Sequence, residues 1–281
     1  MKLKELQSQF AKELTEIYPK TEIRTFLNWL VEAYLGWNTT QMLLNSQEEL
    51  AKEKVQLFQE ALSELKKQKP IQYILGETEF YALPFKVNAS VLIPRPETEE
   101  LVDWIIEDYT NTTEKIDITE IGTGSGCIAT SLAKNNTNFR LTAYDISTEA
   151  LAIAEQNAKL NQVTINFKQQ DVLQLQQLPD QVDVLVSNPP YVKMDERKLI
   201  RSNVFDYEPH LALFVENDSA LIFYEKIIEL ALQQEKIPTV YVEINQALGE
   251  ETKALFENAG FTDVSLKKDI FHKPRMIKAI F

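Results

Sequence analysis

The stretch ITEIGTGSG (118–126) joins a short apolar run to a cluster of glycines. The chain has seven glycines, and Gly122, Gly124 and Gly126 stand at alternate positions of this loop, where the backbone must bend tightly or admit a ligand. Helical spacing of apolar residues resumes directly afterwards. A glycine loop between a strand and a helix is the setting in which α/β folds bind a nucleotide. The stretch therefore predicts a nucleotide-type site, with a strand-to-helix turn that binds nothing as the alternative.

Strand and helix patterns alternate on both sides of this loop. Apolar runs typical of strands occupy 116–121, 141–144, 165–168, 182–187 and 240–244. Helical patterns over about 126–135, 147–161, 218–235 and 247–259 separate them. Such alternation predicts an α/β fold with a mostly parallel, doubly wound sheet and helices on both faces. The tail runs 261–266 and 276–281 are too close for a crossover helix, so we expect the last strand to be antiparallel.

The region before residue 70 has a different pattern of apolar residues. Apolar residues recur there at spacings of three and four, in stripes that Pro19, Gly36 and Pro70 interrupt. The pattern predicts a small helical bundle domain over 1–70. Residues 71–96, rich in β-branched and aromatic residues, predict a β-hairpin connector, and 97–281 form the α/β domain.

Composition excludes several classes of protein. One cysteine rules out an internal disulfide, and two histidines are too few for a Cys/His metal centre. The net charge of −13 argues against nonspecific binding to nucleic acid, and the lysines at 66, 67 and 69 are read as a solvated helix end. No apolar run has the length of a membrane span, and the N-terminus does not resemble a secretory signal. We expect a cytoplasmic monomer that binds neither membranes nor nucleic acid.

Two carboxylates follow neighbouring strands of the predicted sheet. Asp145 ends the second strand and is placed to accept hydrogen bonds from the ribose of an adenosine, although it is also a candidate helix cap. Asp171 follows the third strand and could meet an adenine amine or be a surface loop residue. Because Cys127 stands where the dinucleotide pattern needs its last glycine, the loop favours S-adenosylmethionine over NAD.

The run SNPPY (187–191) ends the fourth strand, next to the glycine loop. An amide nitrogen is a poor nucleophile because its lone pair is delocalised. The Asn188 side-chain oxygen and the Pro189 carbonyl can accept its two N–H bonds and orient its lone pair. Pro190 would hold the turn rigid, and Tyr191 would form an aromatic wall over the substrate. The run predicts methyl transfer to a conjugated nitrogen; the alternative is a rigid loop that only ends a strand.

These features together resemble one family. SNPPY, GTGSG and the stretch VLIPRPETE (91–99) are similar to motifs of the HemK/PrmC family of release-factor glutamine methyltransferases, and YEPHLAL (207–213) and VEINQALGE (242–250) also fit. The resemblance implies a Rossmann-like, S-adenosylmethionine-dependent methyltransferase domain behind a helical domain that holds the substrate. It implies methylation of the glutamine side-chain nitrogen, N5, in the Gly-Gly-Gln motif of peptide chain release factors, with S-adenosylhomocysteine as product.

Family positions carry over to this sequence. Cofactor positions fall on Gly122, Thr123, Gly124, Ser125, Gly126, Asp145, Val172 and Asn188, to which Asp171 is added from the strand pattern. Substrate positions fall on Asn188, Pro189, Pro190 and Tyr191, and we expect Asn188, Pro189 and Tyr191 to be catalytic. Glu120 stands where the family usually has Asp, and Val172 replaces a bulkier residue.

Several alternatives remain open at this stage. NPPY also occurs in enzymes that methylate adenine in DNA, and a ribosomal protein is another possible glutamine substrate. A module that binds nucleotide or release factor without catalysis is a third alternative. Arg95, Glu97 and Thr98 are assigned only to a hinge, to the lip of the cofactor pocket or to an ordinary helix start.

Overall fold

The structure is a computed structural model that describes residues 1–178 and 181–281. Its residues form two compact units. One comprises Met1–Gly76 with Ser202–Tyr207, and the other comprises Glu77–Arg201 with Glu208–Phe281.

The described chain alternates helices and strands after a helical start. The helices are α1 (Leu3–Leu14), α2 (Lys20–Leu35), α3 (Thr39–Leu44), α4 (Lys52–Lys66), α5 (Ile71–Leu75), α6 (Pro96–Asp108), α7 (Cys127–Asn135), α8 (Thr148–Leu160), α9 (Ser202–Phe205), α10 (Ile222–Leu232) and α11 (Gly249–Asn258). The strands are β1 (Glu77–Phe80), β2 (Leu83–Lys86), β3 (Ile116–Ile121), β4 (Phe139–Asp145), β5 (Asn166–Gln169), β6 (Val184–Ser187), β7 (Val192–Lys193), β8 (Phe214–Val215), β9 (Thr239–Glu243), β10 (Asp263–Lys268) and β11 (Pro274–Ile280).

The first unit is a helical bundle around its own apolar core. The stripes predicted in α1, α2 and α4 supply that core, for example Phe10, Leu30 and Phe58, which are fully buried. Pro19 directly precedes α2, and Gly36 ends it with φ +70°, a conformation that glycine adopts without strain. The helical character predicted for this region is therefore confirmed.

The predicted connector over 71–96 is divided in the structure. Residues Ile71–Leu75 are helical, and Gly76 ends that helix with φ +73°. The hairpin β1–β2 follows and lies in the second unit. The hairpin is thus shorter than the predicted segment, because five apolar-rich residues between Pro70 and Gly76 close one helical turn.

The second unit is built on a seven-stranded sheet in the order β10-β11-β9-β6-β3-β4-β5. Strands β9, β6, β3, β4 and β5 run parallel, whereas β11 is antiparallel to both β9 and β10. The predicted doubly wound fold and its antiparallel last strand are confirmed.

Helices cover both faces of this sheet, as the strand sequences require. All residues of β6 are buried: Val184 and Val186 pack in a cluster with α6 and α7, and Leu185 packs in a second cluster with α10 and α11. A strand buried on both faces has no polar alternation, which is why 182–187 reads as a continuous apolar run.

Two negative findings apply to the described residues. None of their helices is both long and apolar enough to cross a bilayer. None of their His, Cys, Asp and Glu side chains are grouped in a way that would hold a metal ion.

Candidate functional site

A cavity of about 460 Å³ opens at the carboxyl ends of β3, β4 and β6. The chain order reverses at β3, since β4 and β5 lie on one side of it and β6 and β9 on the other. Ligands of open α/β sheets bind at such a point. The predicted residues on the cavity wall are Gly122, Thr123, Gly124, Ser125, Asp145, Asp171, Val172, Asn188, Pro189 and Pro190. Gly126 and Tyr191 lie outside this wall.

The glycines of the loop have different structural roles. Gly122 and Gly124 have φ of +72° and +54°, and an added Cβ would meet only open space. Gly126 has φ +77°, and a Cβ there would come within 3.0 Å of the Cβ of Ala154 in α8. Gly126 therefore allows α8 to pack against the loop, while Gly122 and Gly124 let a ligand approach the backbone.

Four backbone N–H groups of this loop, those of Gly122, Thr123, Gly124 and Gly126, are used within the protein. Gly122 and Thr123 donate to the carbonyl of Tyr144, and Gly126 donates to that of Thr123. Gly124 donates to Asp145 Oδ2 at 2.8 Å. A pyrophosphate needs such donors free at the helix N-terminus. The loop is consequently a poor site for a dinucleotide, in agreement with the prediction from its spacing.

The carboxyl group of Glu120 lies beneath the loop and reaches the cavity wall. Its Oε2 accepts a hydrogen bond from Thr123 Oγ1 at 2.6 Å and one from the backbone N–H of Ala129 in α7 at 3.1 Å. Burial raises the pKa of Glu120 to about 8, although both hydrogen bonds act in the opposite direction. This side chain therefore satisfies the N-terminus of α7 and places a buried acid beside the ligand space.

Asp145, the last residue of β4, is bonded to the loop that follows β3. Its Oδ2 accepts from Gly124, and its Oδ1 accepts from the backbone N–H of Ser147 at 2.9 Å. The helix cap that the sequence left open is instead Ser147, whose hydroxyl accepts from Ala150 at 3.1 Å. Burial raises the pKa of Asp145. Each carboxylate oxygen can accept a further bond, so Asp145 is still able to bind hydroxyl groups of a ligand.

Asp171 and Val172 form the far wall of the cavity, beyond β5. Asp171 Oδ1 accepts from the backbone N–H of Leu173 at 3.0 Å and so begins a short helical turn. Val172 is 9% exposed and packs in the core under the sheet. The two residues thus place one polar and one apolar group on the same wall.

Asn188 follows the last residue of β6 and faces the cavity with the two prolines. Its Nδ2 donates to Thr98 Oγ1 in α6 at 3.3 Å. Since the amide nitrogen is engaged with Thr98, the Oδ1 atom of Asn188 remains as an acceptor for a ligand.

Tyr191 points away from the cavity wall. Its hydroxyl donates to Glu243 Oε1 at 3.0 Å, and its ring packs against the core under the sheet. Burial, together with the carboxylate of Glu243, raises the pKa of Tyr191. In this arrangement Tyr191 does not line the cavity, because its hydroxyl is bonded to Glu243 of β9, and its place over the substrate stays a prediction.

Glu243, at the end of β9, is a buried polar residue to which sequence reasoning gave no role. It is 2% exposed, and its Oε2 accepts from Thr98 Oγ1 at 2.6 Å. Burial raises its pKa. The signal in the sequence was an acidic residue in an otherwise apolar strand, within VEINQALGE, but nothing in that pattern identified its partners.

Of the three residues left open near the start of α6, two lie on the cavity wall: Arg95 and Thr98. Arg95 Nη2 contacts Glu208 Oε1 at 2.6 Å, and Glu208 Oε2 accepts from the backbone N–H of Ile93 at 3.2 Å. The Glu208 side chain is 1% exposed. This pair joins the segment before α6 to the segment that carries Pro209, Leu211 and Ala212 of the wall.

The residues of the cavity fit S-adenosylmethionine. Its cationic sulfonium and amino groups match a wall that carries the carboxyl groups of Glu120 and Asp145, and in which the N–H groups of Gly122, Thr123 and Gly124 are already bonded within the protein. The apolar groups of Val91, Ile128 and Val172 suit its adenine ring and the methylene groups beside its sulfur.

Comparisons with known proteins identify the domains, the fold and the family. The family model "PrmC N-terminal domain" matches residues 5–76, and the "Methyltransferase small domain" matches residues 102–207. The human methyltransferase 10 domain containing protein has a TM-score of 0.52 at 17% identity, covering 72% of this chain and 90% of that one. That likeness shows the fold.

Two relatives match nearly the whole chain. The release factor glutamine methyltransferase of Flavobacterium psychrophilum is 48% identical over 100% of both chains. That of Bacteroides thetaiotaomicron is 39% identical over 95% of this chain and 96% of its own length. At this identity and coverage, the chain belongs to the family of release factor glutamine methyltransferases.

Proposed function

We propose that the cavity binds S-adenosylmethionine and that the enzyme methylates the side-chain nitrogen, N5, of the glutamine in the Gly-Gly-Gln motif of peptide chain release factors. The observation that carries this proposal is the presence of Asn188, Pro189 and Pro190 on the same cavity wall as the Gly122–Ser125 loop and Asp145. Membership of the family supports the choice of protein substrate.

Asp145 would accept hydrogen bonds from the ribose hydroxyls, and Asp171 one from the adenine amine, beside the apolar surface of Val172. Glu120 adds a carboxyl group near a ligand that carries positive charge. When bound, the cofactor supplies an electrophilic methyl group, and its transfer leaves S-adenosylhomocysteine and releases one proton from the substrate nitrogen.

Asn188 and Pro189 would activate the substrate amide. The Asn188 Oδ1 and the Pro189 carbonyl accept its two N–H bonds, which directs electron density onto nitrogen and orients the attacking lone pair. Both acceptors are neutral dipoles fixed before the reaction, so they stabilise the positive charge that develops on nitrogen during transfer. The two prolines restrict φ and keep these acceptors in place.

Tyr191 supports this turn from behind through its hydrogen bond to Glu243. Its catalytic contribution would then be indirect, by packing the turn against β9. Because the substrate is a translation factor, the reaction takes place in the cytoplasm.

The test is mass spectrometry of a release-factor peptide that contains Gly-Gly-Gln, after incubation with enzyme and S-adenosylmethionine. We expect the mass of one methylene group to be added to the glutamine, and Asn188→Ala to lower the rate by roughly 10²- to 10³-fold. Asn166→Ala removes an exposed asparagine of β5 and serves as the control. A ribosomal-protein peptide methylated in preference to the release factor, or an unchanged rate for Asn188→Ala, would contradict the proposal.

A further inference from the structure

We propose that Thr98 and Glu243 are positioning residues that decide which end of the Asn188 amide faces the cavity. The proposal rests on the proposed function only for its consequence in catalysis. The arrangement itself is a property of the free protein.

The three side chains form a directed series of hydrogen bonds. Glu243 Oε2 accepts from Thr98 Oγ1 at 2.6 Å, and Thr98 Oγ1 accepts from Asn188 Nδ2 at 3.3 Å. Glu243 and Thr98 are both 2% exposed, so water does not compete for these bonds. Glu243 Oε1 is occupied in turn by the hydroxyl of Tyr191 at 3.0 Å.

The carboxylate of Glu243, at the end of this series, determines which group donates and which accepts in each hydrogen bond. An ionised carboxylate only accepts hydrogen bonds, and a hydroxyl has a single proton to donate. The hydroxyl proton of Thr98 is therefore committed to Glu243. The oxygen of Thr98 can then only accept from Asn188, which turns Nδ2 toward Thr98 and Oδ1 toward the cavity.

Packing alone does not determine which end of the Asn188 side chain faces the cavity. The two ends of a carboxamide have nearly the same size and shape, and differ in that one accepts hydrogen bonds and the other donates them. With Nδ2 toward the cavity, Asn188 would oppose donor to donor against the N–H bonds of the substrate amide. Glu243, through Thr98, thus selects the acceptor that the reaction needs.

Several groups around Glu243 affect its pKa. Arg275 of β11, which is itself paired with Asp269 at 3.0 Å, lowers the pKa of Glu243, while Glu97 raises it. Burial raises it further and has the largest effect. Tyr191 donates to the carboxylate and favours its charged form. As the pH falls, Glu243 takes up a proton and can donate to Thr98, which allows the whole series to reverse.

Methyl-transfer kinetics of Thr98→Val, Thr98→Ser and Glu243→Gln test the inference. Valine keeps the shape of threonine without its hydroxyl, so we expect kcat to fall about tenfold to a hundredfold with little change in the KM for S-adenosylmethionine. Serine restores the hydroxyl and should restore most of the rate. Glutamine can donate or accept, so Glu243→Gln should lower kcat. It should also remove the loss of activity that we expect for the wild type at low pH. Thr252→Val, which removes a buried hydroxyl bonded to a helix carbonyl, is the matched control.

A second measurement does not depend on turnover. The side-chain NH₂ resonances of Asn188, identified by their absence in Asn188→Ala, should report one hydrogen-bonded proton in the cofactor-free wild type. They should shift as Glu243 titrates, and this shift should disappear in Glu243→Gln and Thr98→Val. If the wild type methylates its substrate but Thr98→Val keeps the wild-type kcat and the same Asn188 resonances, the inference is wrong and the proposed function stands. If the wild type methylates no release factor, the proposed function is wrong, and the resonances still decide the inference.

Discussion

At the scale of single residues, Glu120 is a buried carboxyl group whose pKa lies far from that of a free glutamate. Its pKa is raised from 4.5 to about 8 by burial. Between these values the folded chain binds a proton at Glu120 that the unfolded chain does not, so the contribution of Glu120 to stability is largest below pH 4.5 and decreases as the pH rises to about 8. At about 1.4 kcal/mol per pKa unit, the decrease has an upper limit on the order of 5 kcal/mol.

Glu120→Gln should remove this dependence, because glutamine resembles the protonated acid and stays neutral. We expect the variant to gain stability over the wild type as the pH rises from 5 to 8. Urea unfolding followed through NMR resonances of β3 would measure it. Glu149→Gln is the control: hydrogen bonds from its own backbone, Thr148 and Ser147 lower the pKa of Glu149, so its titration lies below pH 4.5 and this variant should keep the pH dependence of the wild type between pH 5 and 8. A wild type and Glu120→Gln with parallel pH profiles would refute the assignment.

The residues of the cavity wall were predictable to the extent that they follow strand ends. Gly122, Gly124, Asp145 and Asn188 come together because parallel strands bring their carboxyl ends to one edge of the sheet. Thr98 and Glu243 are 145 residues apart in sequence and meet through tertiary packing, which no local pattern records. The same holds for the direction of Tyr191, which depends on a partner in β9.

At the scale of elements, the Arg95–Glu208 pair holds together two segments of the cavity wall. Glu208→Gln would keep an acceptor for Ile93 but leave the guanidinium of Arg95 without its carboxylate. Because Arg95 is 33% exposed, water replaces part of the lost interaction. We expect the Kd for S-adenosylmethionine to rise about fivefold to thirtyfold, measured by calorimetry.

The control for this pair is Glu77→Gln in the hairpin. It breaks the ion pair of Glu77 with Lys86, in which both side chains are about half exposed, so the affinity for the cofactor should stay that of the wild type. Equal affinities of Glu208→Gln and Glu77→Gln would mean that the buried pair does not shape the wall.

Elements were predicted best where their apolar pattern was long. The strands of the parallel sheet and the helices α1, α2 and α4 follow their apolar runs, with ends displaced by a few residues. Helix α3 was missed because its six residues bury only Met42 and leave Leu43 and Leu44 exposed. Its signal was the capping pair Asn38 and Gln41, in which each side chain bonds the backbone of the other residue.

At the scale of the whole molecule, the net charge of the protein distinguishes between DNA and a protein as the substrate. The net charge is −13, and two glutamates offset most of the charge of the lysine cluster that the sequence placed at the end of α4. Lys66 pairs with Glu13 at 2.9 Å, and Lys67 and Lys69 both pair with Glu64, at 2.7 and 3.2 Å. This cluster therefore offers little positive charge to a phosphate backbone.

Duplex DNA should accordingly be neither bound nor methylated, because an acidic surface repels phosphates most strongly at low ionic strength. In fluorescence anisotropy at 50 mM salt, we expect a Kd weaker than about 10⁻⁴ M, and with labelled cofactor we expect no label in DNA. The double variant Glu13→Gln, Glu64→Gln frees the lysines and is the control: tighter binding by this variant alone would show that the ion pairs mask a local patch. If the label appeared in DNA but not in a release factor, the enzyme would be an adenine methyltransferase.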